Sequence, residues 1–254
     1  FQSVLNRLSE ANLIGVQITA KAWATWRRVD TKLKHGQFRI APNLTTKELL
    51  QYLTTPPTEP SSRLTIPEGF NRWQIADVLQ QHGYDRGDVL RLIQSQSLEG
   101  KLFPSVYFIS KRDNVSTILE RMHSQFEKEF NSIKTKFGRQ SSLTDEEIVT
   151  LASMVEKETV VSDEAPLIAR VFFNRLKKKM KLQSDPTYVY TAERYGQKPT
   201  KADRLNKKNP YNTDKFIGLP PGPIGNPGRN ALIATFQPSE DPKSMQWLFF
   251  VAKR

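Results

Sequence analysis

The chain has 254 residues, of which 37% are hydrophobic and 25% are charged, and it contains 16 prolines, 12 glycines and no cysteine. This composition excludes collagen, a disulfide framework and wholesale disorder, and the missing cysteines exclude thiolate catalysis and cysteine-ligated zinc. The formal net charge of +12 favours polyanionic partners, which leaves nucleic acid, an acidic membrane face and a carboxylate-rich polymer open.

The first region, residues 1–62, is predicted to contain three short helices and one strand. Leucines at helical spacing follow Ser3, a second helix is predicted near residues 22–29, and a strand pattern occupies residues 37–40. Thr45 and Glu48 form a capping-box signature ahead of the third helix. Prolines and hydroxyl residues at 54–62 are typical of a linker, which places a domain boundary there.

The second region, residues 63–140, is predicted to connect the first region to the third. It opens with a strand pattern at 63–66, Asn71 caps the next predicted helix, and a long polar helix is predicted at 115–137. An aromatic segment near residues 98–108 lies between the two helices. The mixture of short strands and helices favours an α+β fold.

The third region, residues 141–254, carries the residues with chemical potential. Thr144 and Glu147 form a capping box at the start of one helix, and Pro166 lies in the first turn of the next. A stretch rich in proline, glycine and asparagine follows at 209–230, and the chain ends in a strand-like run at 247–252. We therefore predict a mixed helix and strand domain with a long Pro/Gly-rich loop.

The sequence offers no signature of metal or nucleotide chemistry. His35, His82 and His123 lie far apart and lack metal-ligand spacing, and no nucleophile elbow, Walker loop or dinucleotide motif follows a predicted strand. We therefore predict no metal and no cofactor. Carboxylate chemistry remains.

One carboxylate, Glu158, lies on the apolar face of its predicted helix. Because a helix advances about 100° per residue, Glu158 lies about 60° from Val155, inside the apolar stripe. Burial raises the pKa of a carboxyl group, and a carboxylic acid that stays protonated is what a general acid for glycoside cleavage requires. The alternative is a glutamate in the last turn that pairs with a lysine or arginine. Position alone favours that alternative.

Polar and aromatic residues that follow this helix could recognise a sugar. Amides and hydroxyls give directional hydrogen bonds, and flat rings cover the apolar faces of a sugar. The alternative is that these residues form turns, which composition alone favours. The candidate substrate-binding residues are Gln183, Ser184, Asp185, Thr187, Tyr190, Tyr211, Asn212 and Thr213.

Positive charge is concentrated between residues 177 and 215, where eleven lysines and arginines face four acidic residues. A run of this kind is usually a solvated basic face. The functional alternative is electrostatic attraction of an anionic polymer. No aromatic RNA-binding motif or zinc finger accompanies it, which weakens a nucleic-acid interpretation.

These segments resemble those of the endolytic murein transglycosylases, the MltG or YceG-like family of bacterial cell-wall enzymes. The resemblance covers most of the chain and is tightest from residue 143 onward. The matching segments, in the family's order, are residues 66–69 (IPEG), 98–100 (LEG), 103–104 (FP), 151–159 (LASMVEKET), 171–176 (VFFNRL), 182–187 (LQSDPT), 211–213 (YNT) and 218–224 (GLPPGPI).

The resemblance implies a function for each region. Residues 1–62 would form a LysM-like module, residues 63–140 a connecting region, and residues 141–254 the catalytic transglycosylase domain with Glu158 as the catalytic residue. The enzyme would cleave the β-1,4 bond between N-acetylmuramic acid and N-acetylglucosamine without hydrolysis and leave 1,6-anhydro-muramyl ends.

The resemblance also implies a location and partners. A single N-terminal inner-membrane helix is expected to precede this sequence, with the enzyme on the periplasmic face and contributing to cell-wall biogenesis and glycan strand termination. Peptidoglycan glycan strands would be the partner, peptidoglycan synthases are allowed as further partners, and nucleic acid is not expected. Two rival classes stay open: a non-catalytic peptidoglycan-binding module and a basic nucleic-acid-binding protein.

Overall fold

The computed structural model describes residues 1–34, 38, 40, 44–55, 62–110, 113–138 and 142–249. In this part of the chain a predominantly helical structure carries one two-stranded sheet, which is consistent with the predicted α+β class. The strands are β1 (Ser62–Thr65) and β2 (Val106–Ile109). The helices are α1 (Gln2–Glu10), α2 (Gln17–Trp26), α3 (Thr46–Tyr52), α4 (Arg72–Gln81), α5 (Arg86–Ser95), α6 (Val115–Phe137), α7 (Asp145–Glu158), α8 (Ala165–Lys177), α9 (Asp185–Tyr188), α10 (Lys201–Leu205) and α11 (Arg229–Phe236).

The chain divides into two compact units, of which unit 1 comprises Phe1–Ser62 and Phe108–Arg112. Its core is built from aliphatic residues of α1, α2 and α3, including the fully buried Leu5, Ala24 and Leu50. The Thr45 capping box is present, as predicted. Helix α2 begins at residue 17, earlier than predicted. No side chain caps its start, so the sequence carries no capping signal there. Residues 37 and 39 of the predicted strand and 56–61 of the predicted linker lie outside the described residues.

Unit 2 comprises Arg63–Tyr107 and Asp113–Arg254 and is organised around α7. Every residue of this helix from Ile148 to Val155 is buried, because no charged side chain interrupts that stretch. A helix that is buried all round lies in the middle of a domain, and α7 packs against α8, α9 and α11. Its last three residues, 156–158, are all charged and emerge from the core together.

Local signals located four helices of unit 2, namely α4, α6, α7 and α8. Thr144 forms the predicted capping box, Asn71 caps α4 as predicted and forms a capping box with Gln74, and α6 has the predicted limits. The predicted strand at the end of the chain is wrong for residues 247–249, and residues 250–252 lie outside the described residues. Side chains of α8 hydrogen-bond the carbonyls there instead: Asn174 Nδ2 lies 2.8 Å from the Trp247 oxygen and Arg175 Nε 2.7 Å from the Leu248 oxygen.

Residues 206–228 contain no helix or strand, yet their last part is tightly held. Asn226 is fully buried, and its side chain donates to the Phe70 carbonyl over 2.8 Å and accepts from the Leu102 amide over 2.7 Å. Gly225 lies so close to the loop after β1 that a Cβ atom there would be 2.5 Å from the Gly69 carbonyl oxygen. These contacts fix the loop beside the end of α7. Among the described residues, no helix is long and apolar enough to span a membrane.

Candidate active site

The last residue of α7, Glu158, carries a half-buried carboxylate with a direct hydrogen-bond partner. Ser184 donates its hydroxyl to Glu158 Oε1 over 2.6 Å. Burial raises the pKa of Glu158 above its ordinary 4.5, and the negative charge of Asp185 raises it further. The Ser184 hydrogen bond, the Arg175 charge and the Asp185 backbone N–H act in the opposite direction. The carboxyl group is thus desolvated but keeps partners that stabilise its ionised form.

Two threonines fix the position of Ser184, which is fully buried. The Ser184 amide donates to Thr213 Oγ1 over 3.0 Å, and Thr187 Oγ1 donates to the Ser184 carbonyl over 2.6 Å. The two threonine hydroxyls lie 2.9 Å apart. Gln183 precedes this group with a φ of 49° in the left-handed region, and its side chain is exposed. The structure therefore brings five predicted residues, 183–185, 187 and 213, together around Glu158.

Asn212 holds the neighbouring loop and does not face solvent. Its Nδ2 atom donates to the carbonyls of Asp203, Arg204 and Asn206 over 3.1, 3.1 and 2.8 Å. Its Oδ1 atom accepts from the Asp214 amide over 3.1 Å. Because the amide is fully buried and its hydrogen bonds are internal, the geometry suits a residue that supports Thr213.

Arg175 is a nearby charge that sequence reasoning did not single out. It is buried on α8 and donates to the carbonyls of Leu182 and Leu248, which leaves its positive charge acting on Glu158. Burial lowers the pKa of Arg175, and the Glu158 charge opposes that shift. Two features of the sequence could have identified Arg175: it is a charged residue on a largely apolar helix, and it lies in the segment 171–176 that resembles the family.

Glu156 and Glu158 are hydrogen-bonded to different parts of the structure. Its Oε2 atom accepts a hydrogen bond from the Gly228 amide over 2.9 Å, at the start of α11. Burial raises the pKa of Glu156, and the charge of Glu68 adds to that effect. Lys157, between the two glutamates, is also largely buried, and burial lowers its pKa. The alternating directions of these side chains follow from helix geometry.

Tyr190 and Tyr211 lie in a second cluster. Their rings are 4.6 Å apart, and the Tyr190 hydroxyl donates to Glu99 Oε2 over 2.7 Å while it accepts from Arg72 Nη2 over 2.7 Å. Trp73 packs on the other side of Tyr190, with centroids 4.9 Å apart. Tyr190 is buried, whereas Tyr211 lines a cavity of about 510 Å³ together with Arg72 and Glu99. Sequence reasoning missed Arg72 and Glu99, although Glu99 lies in the LEG segment.

No group of three or more histidine, aspartate and glutamate side chains is placed to hold a metal ion in the ranges that the structure describes. What the site offers is one desolvated carboxyl group on a rigid helix, a serine that orients it, and a nearby buried guanidinium. This arrangement can give and take a proton at one oxygen atom.

Comparison with known proteins places the chain in a family. The model of the YceG-like family matches residues 1–254. Endolytic murein transglycosylases of Streptococcus pneumoniae (serotype 2, strain D39) and Bacillus subtilis (strain 168) are 29% and 28% identical over 99% and 86% of this chain. The chain spans 52% and 66% of the lengths of these two relatives.

A crystal structure of a YceG-like protein from Listeria monocytogenes is similar to this structure as well. The TM-score is 0.64 at 27% sequence identity, over 98% of this chain and 89% of the other. The predicted family resemblance is confirmed by these findings. The chain belongs to the YceG-like family.

Proposed function

We propose that this chain is the catalytic part of an endolytic peptidoglycan transglycosylase. Two relatives that carry the name endolytic murein transglycosylase match most of the chain. The observation that carries the proposal is the Glu158 carboxyl group, whose pKa is raised by burial and which Ser184 holds in one orientation. A protonated carboxylic acid at a fixed position is suited to glycoside cleavage.

Glu158 would act twice in one reaction. As an acid it would protonate the oxygen that links N-acetylmuramic acid to N-acetylglucosamine, and the bond to C1 would break. As a carboxylate it would then accept the proton of the muramyl 6-hydroxyl, whose oxygen closes on C1 to form the 1,6-anhydro ring. Intramolecular attack by a hydroxyl held close to C1 has a large entropic advantage. The opposing influences on the pKa of Glu158 are suited to a group that must be stable in both protonation states.

The other site residues would play two kinds of role. Gln183 and Asp185 have exposed side chains beside Glu158, and Tyr211 is half-buried at the edge of a cavity, so these three are proposed to contact the glycan. Thr187, Asn212 and Thr213 are buried and use their polar atoms internally, so we propose that they position Ser184. Tyr190 would order Tyr211 by packing against it.

The proposal extends to the rest of the protein. Unit 1 is proposed to be a LysM-like module that binds the glycan, and unit 2 would contain both the connecting region and the catalytic domain. Action on the cell wall implies a location outside the cytoplasm. From the family resemblance we further propose the periplasmic face of the inner membrane, with a single-pass anchor. Peptidoglycan strands would be the partner, with synthases as further partners, in glycan strand termination and cell-wall biogenesis.

Digestion of purified sacculi tests this function directly. The chain should release muropeptides that end in 1,6-anhydro-muramic acid, identified by mass spectrometry, from the interior of glycan strands. Glu158→Gln, which is nearly isosteric, should bind sacculi and release none. Binding of sacculi without any product from the unaltered chain would identify a non-catalytic binding module. Strong, salt-sensitive binding to duplex DNA with no affinity for sacculi would indicate a nucleic-acid-binding protein.

A further inference from the structure

Three exposed apolar side chains lie in two lysine-containing segments of unit 2. Leu205, Phe216 and Ile217 expose 57%, 46% and 64% of their surfaces. Large apolar side chains that are exposed together mark a site of interaction with another surface. None of these three residues takes part in the site around Glu158 described above.

The segments that carry these side chains are tied to each other. Asn212 Nδ2 donates to the carbonyls of Arg204 and Asn206, which flank Leu205 in the sequence, over 3.1 and 2.8 Å. The Phe216 amide donates to the Asn212 carbonyl over 3.1 Å. Both segments are therefore bonded to one buried asparagine, which holds the two stretches of backbone near each other.

The surroundings of the apolar group are basic. Residues 198–217 contain six lysines and arginines and two aspartates. Asp203 and Asp214 have side chains that are only 12% and 9% exposed, and both are paired with arginine. Lys207 and Lys208 are exposed and form no ion pair with any residue that the structure describes. The exposed charged side chains of these two segments are therefore mainly positive.

We propose that this surface docks onto a membrane that contains anionic phospholipid. It consists of Leu205, Phe216 and Ile217 with the surrounding Lys201, Lys207 and Lys208. Lysines are attracted to the negative surface potential of such a membrane, and apolar side chains between them enter the boundary between headgroups and acyl chains. Phe216 has a flat ring, but Leu205 and Ile217 do not, and none of the three apolar side chains has the hydrogen-bond donors that suit a sugar polymer, so the composition favours lipid over glycan.

The surface is mechanically connected to Glu158. Asp214, beside Thr213, accepts a hydrogen bond from Gln183 Nε2 over 3.3 Å, and Thr213 bonds Ser184, the partner of Glu158. Docking would hold Glu158 at a fixed height above the lipid surface. If the proposed transglycosylase function holds, cleavage would then be directed to the glycan strands nearest the membrane. The docking itself does not depend on that function.

Sedimentation of the whole chain with lipid vesicles tests the proposal. We expect binding to vesicles of equal parts phosphatidylglycerol and phosphatidylcholine, weak binding to phosphatidylcholine alone, and loss of binding as salt is raised. The triple variant Leu205→Ser, Phe216→Ser, Ile217→Ser should bind the anionic vesicles at least about tenfold more weakly. Its thermal unfolding and its cleavage of soluble glycan fragments should remain those of the unaltered chain.

Matched control variants distinguish binding through this surface from nonspecific hydrophobic or electrostatic binding. Met245→Ser removes a side chain that is 51% exposed elsewhere and should leave vesicle binding unchanged, whereas Ile217→Ser should weaken it. Lys207→Gln with Lys208→Gln should weaken binding more than Lys128→Gln with Lys243→Gln, which removes equal charge from other exposed positions.

Two outcomes would overturn the proposal. One is equal vesicle binding by the triple variant and the unaltered chain. The other is loss of sacculus binding by the triple variant with no vesicle binding by either protein, which would assign the surface to glycan. Glu158→Gln should bind vesicles normally, so failure of the proposed catalytic function would leave this measurement intact.

Discussion

Ser184 donates its hydroxyl to Glu158 across 26 positions of sequence, over 2.6 Å. The contact joins the end of α7, whose middle part is buried, to a turn held by two threonines. The hydrogen bond from Ser184 therefore fixes the orientation of the Glu158 carboxyl group, and the Asp185 backbone N–H adds a second contact to it. The first two predictions depend on this arrangement.

Replacing Glu158 should abolish cleavage, whereas replacing Glu156 should not. Removal of a general acid costs about 10² to 10⁴ in rate, and more where one group performs both proton transfers. Glu156→Gln keeps a carbonyl oxygen that can accept from the Gly228 amide, so a loss below about tenfold is expected. The rates of muropeptide release from sacculi measure both. An inactive Glu156 variant beside an active Glu158 variant would reverse the assignment.

Replacing Ser184 with alanine should move the pH dependence of the reaction. The hydrogen bond lowers the pKa of Glu158, so its loss raises that pKa and keeps the acid protonated to higher pH. The alkaline limb of the pH–rate profile should therefore shift upward, while the maximal rate falls because the carboxyl group loses its orientation. Ser184→Thr keeps the hydroxyl group, so its alkaline limb should lie at the pH found for the unaltered chain. An unchanged limb in Ser184→Ala would show that the hydrogen bond does not tune Glu158.

Gly225 should tolerate a methyl group less well than Gly228. A Cβ atom at Gly225 would lie 2.5 Å from the Gly69 carbonyl, which is backbone, and relief requires the loop after β1 to shift. A Cβ atom at Gly228 meets the flexible, exposed side chain of Glu68, which can move away. We expect Gly225→Ala to lower the free energy of unfolding by about 1–3 kcal/mol in urea titrations. Equal losses in the two variants would contradict this account.

Local signals in the sequence predicted the starts of α3, α4 and α7. Capping boxes at Thr45, Asn71 and Thr144 depend on residues three apart, so they are readable without the fold. The 100° helical repeat likewise singled out Glu158, but α7 is buried all round from Ile148 to Val155, and Glu156, Lys157 and Glu158 are all half-buried. Periodicity was uninformative for α10 and α11, which are short and adjoin a proline- and glycine-rich stretch.

Long-range contacts could not be predicted in this way. Glu99 and Tyr190 are 91 residues apart, and only the packing of α4, α5 and the loop after α9 brings them together. The strand-like apolar run at 247–249 was misread because side-chain donors on α8, not a neighbouring strand, satisfy its carbonyls. Chemistry that depends on tertiary neighbours therefore needed the structure.

Neutralising Lys177, Lys178 and Lys179 should slow association with peptidoglycan. These side chains lie at and just after the end of α8 and open the basic stretch, and the stem peptides of the polymer carry carboxylates. Replacement of all three with glutamine should reduce sacculus binding at low salt and flatten its salt dependence, because less charge remains to be screened. The rate of bond cleavage on bound substrate should not change. If the triple glutamine variant and the unaltered chain bind sacculi equally at low and moderate salt, these lysines do not attract the polymer.

Cleavage in ¹⁸O-labelled water distinguishes a transglycosylase from a hydrolase. A glycoside hydrolase normally uses two carboxyl groups, about 5 to 5.5 Å apart for retention or about 6.5 to 9.5 Å for inversion, and water supplies the new oxygen. Here Asp185 is exposed and gives its backbone N–H to Glu158, which suits a residue that shapes the turn more than one that activates water. We expect the muramyl product to carry no label and to be lighter by one water than the reducing sugar. Lysozyme on the same sacculi, as the hydrolytic control, should give labelled reducing ends. A labelled reducing muramic acid from this chain would make it a hydrolase, and loss of that label in Asp185→Asn would identify its second carboxylate.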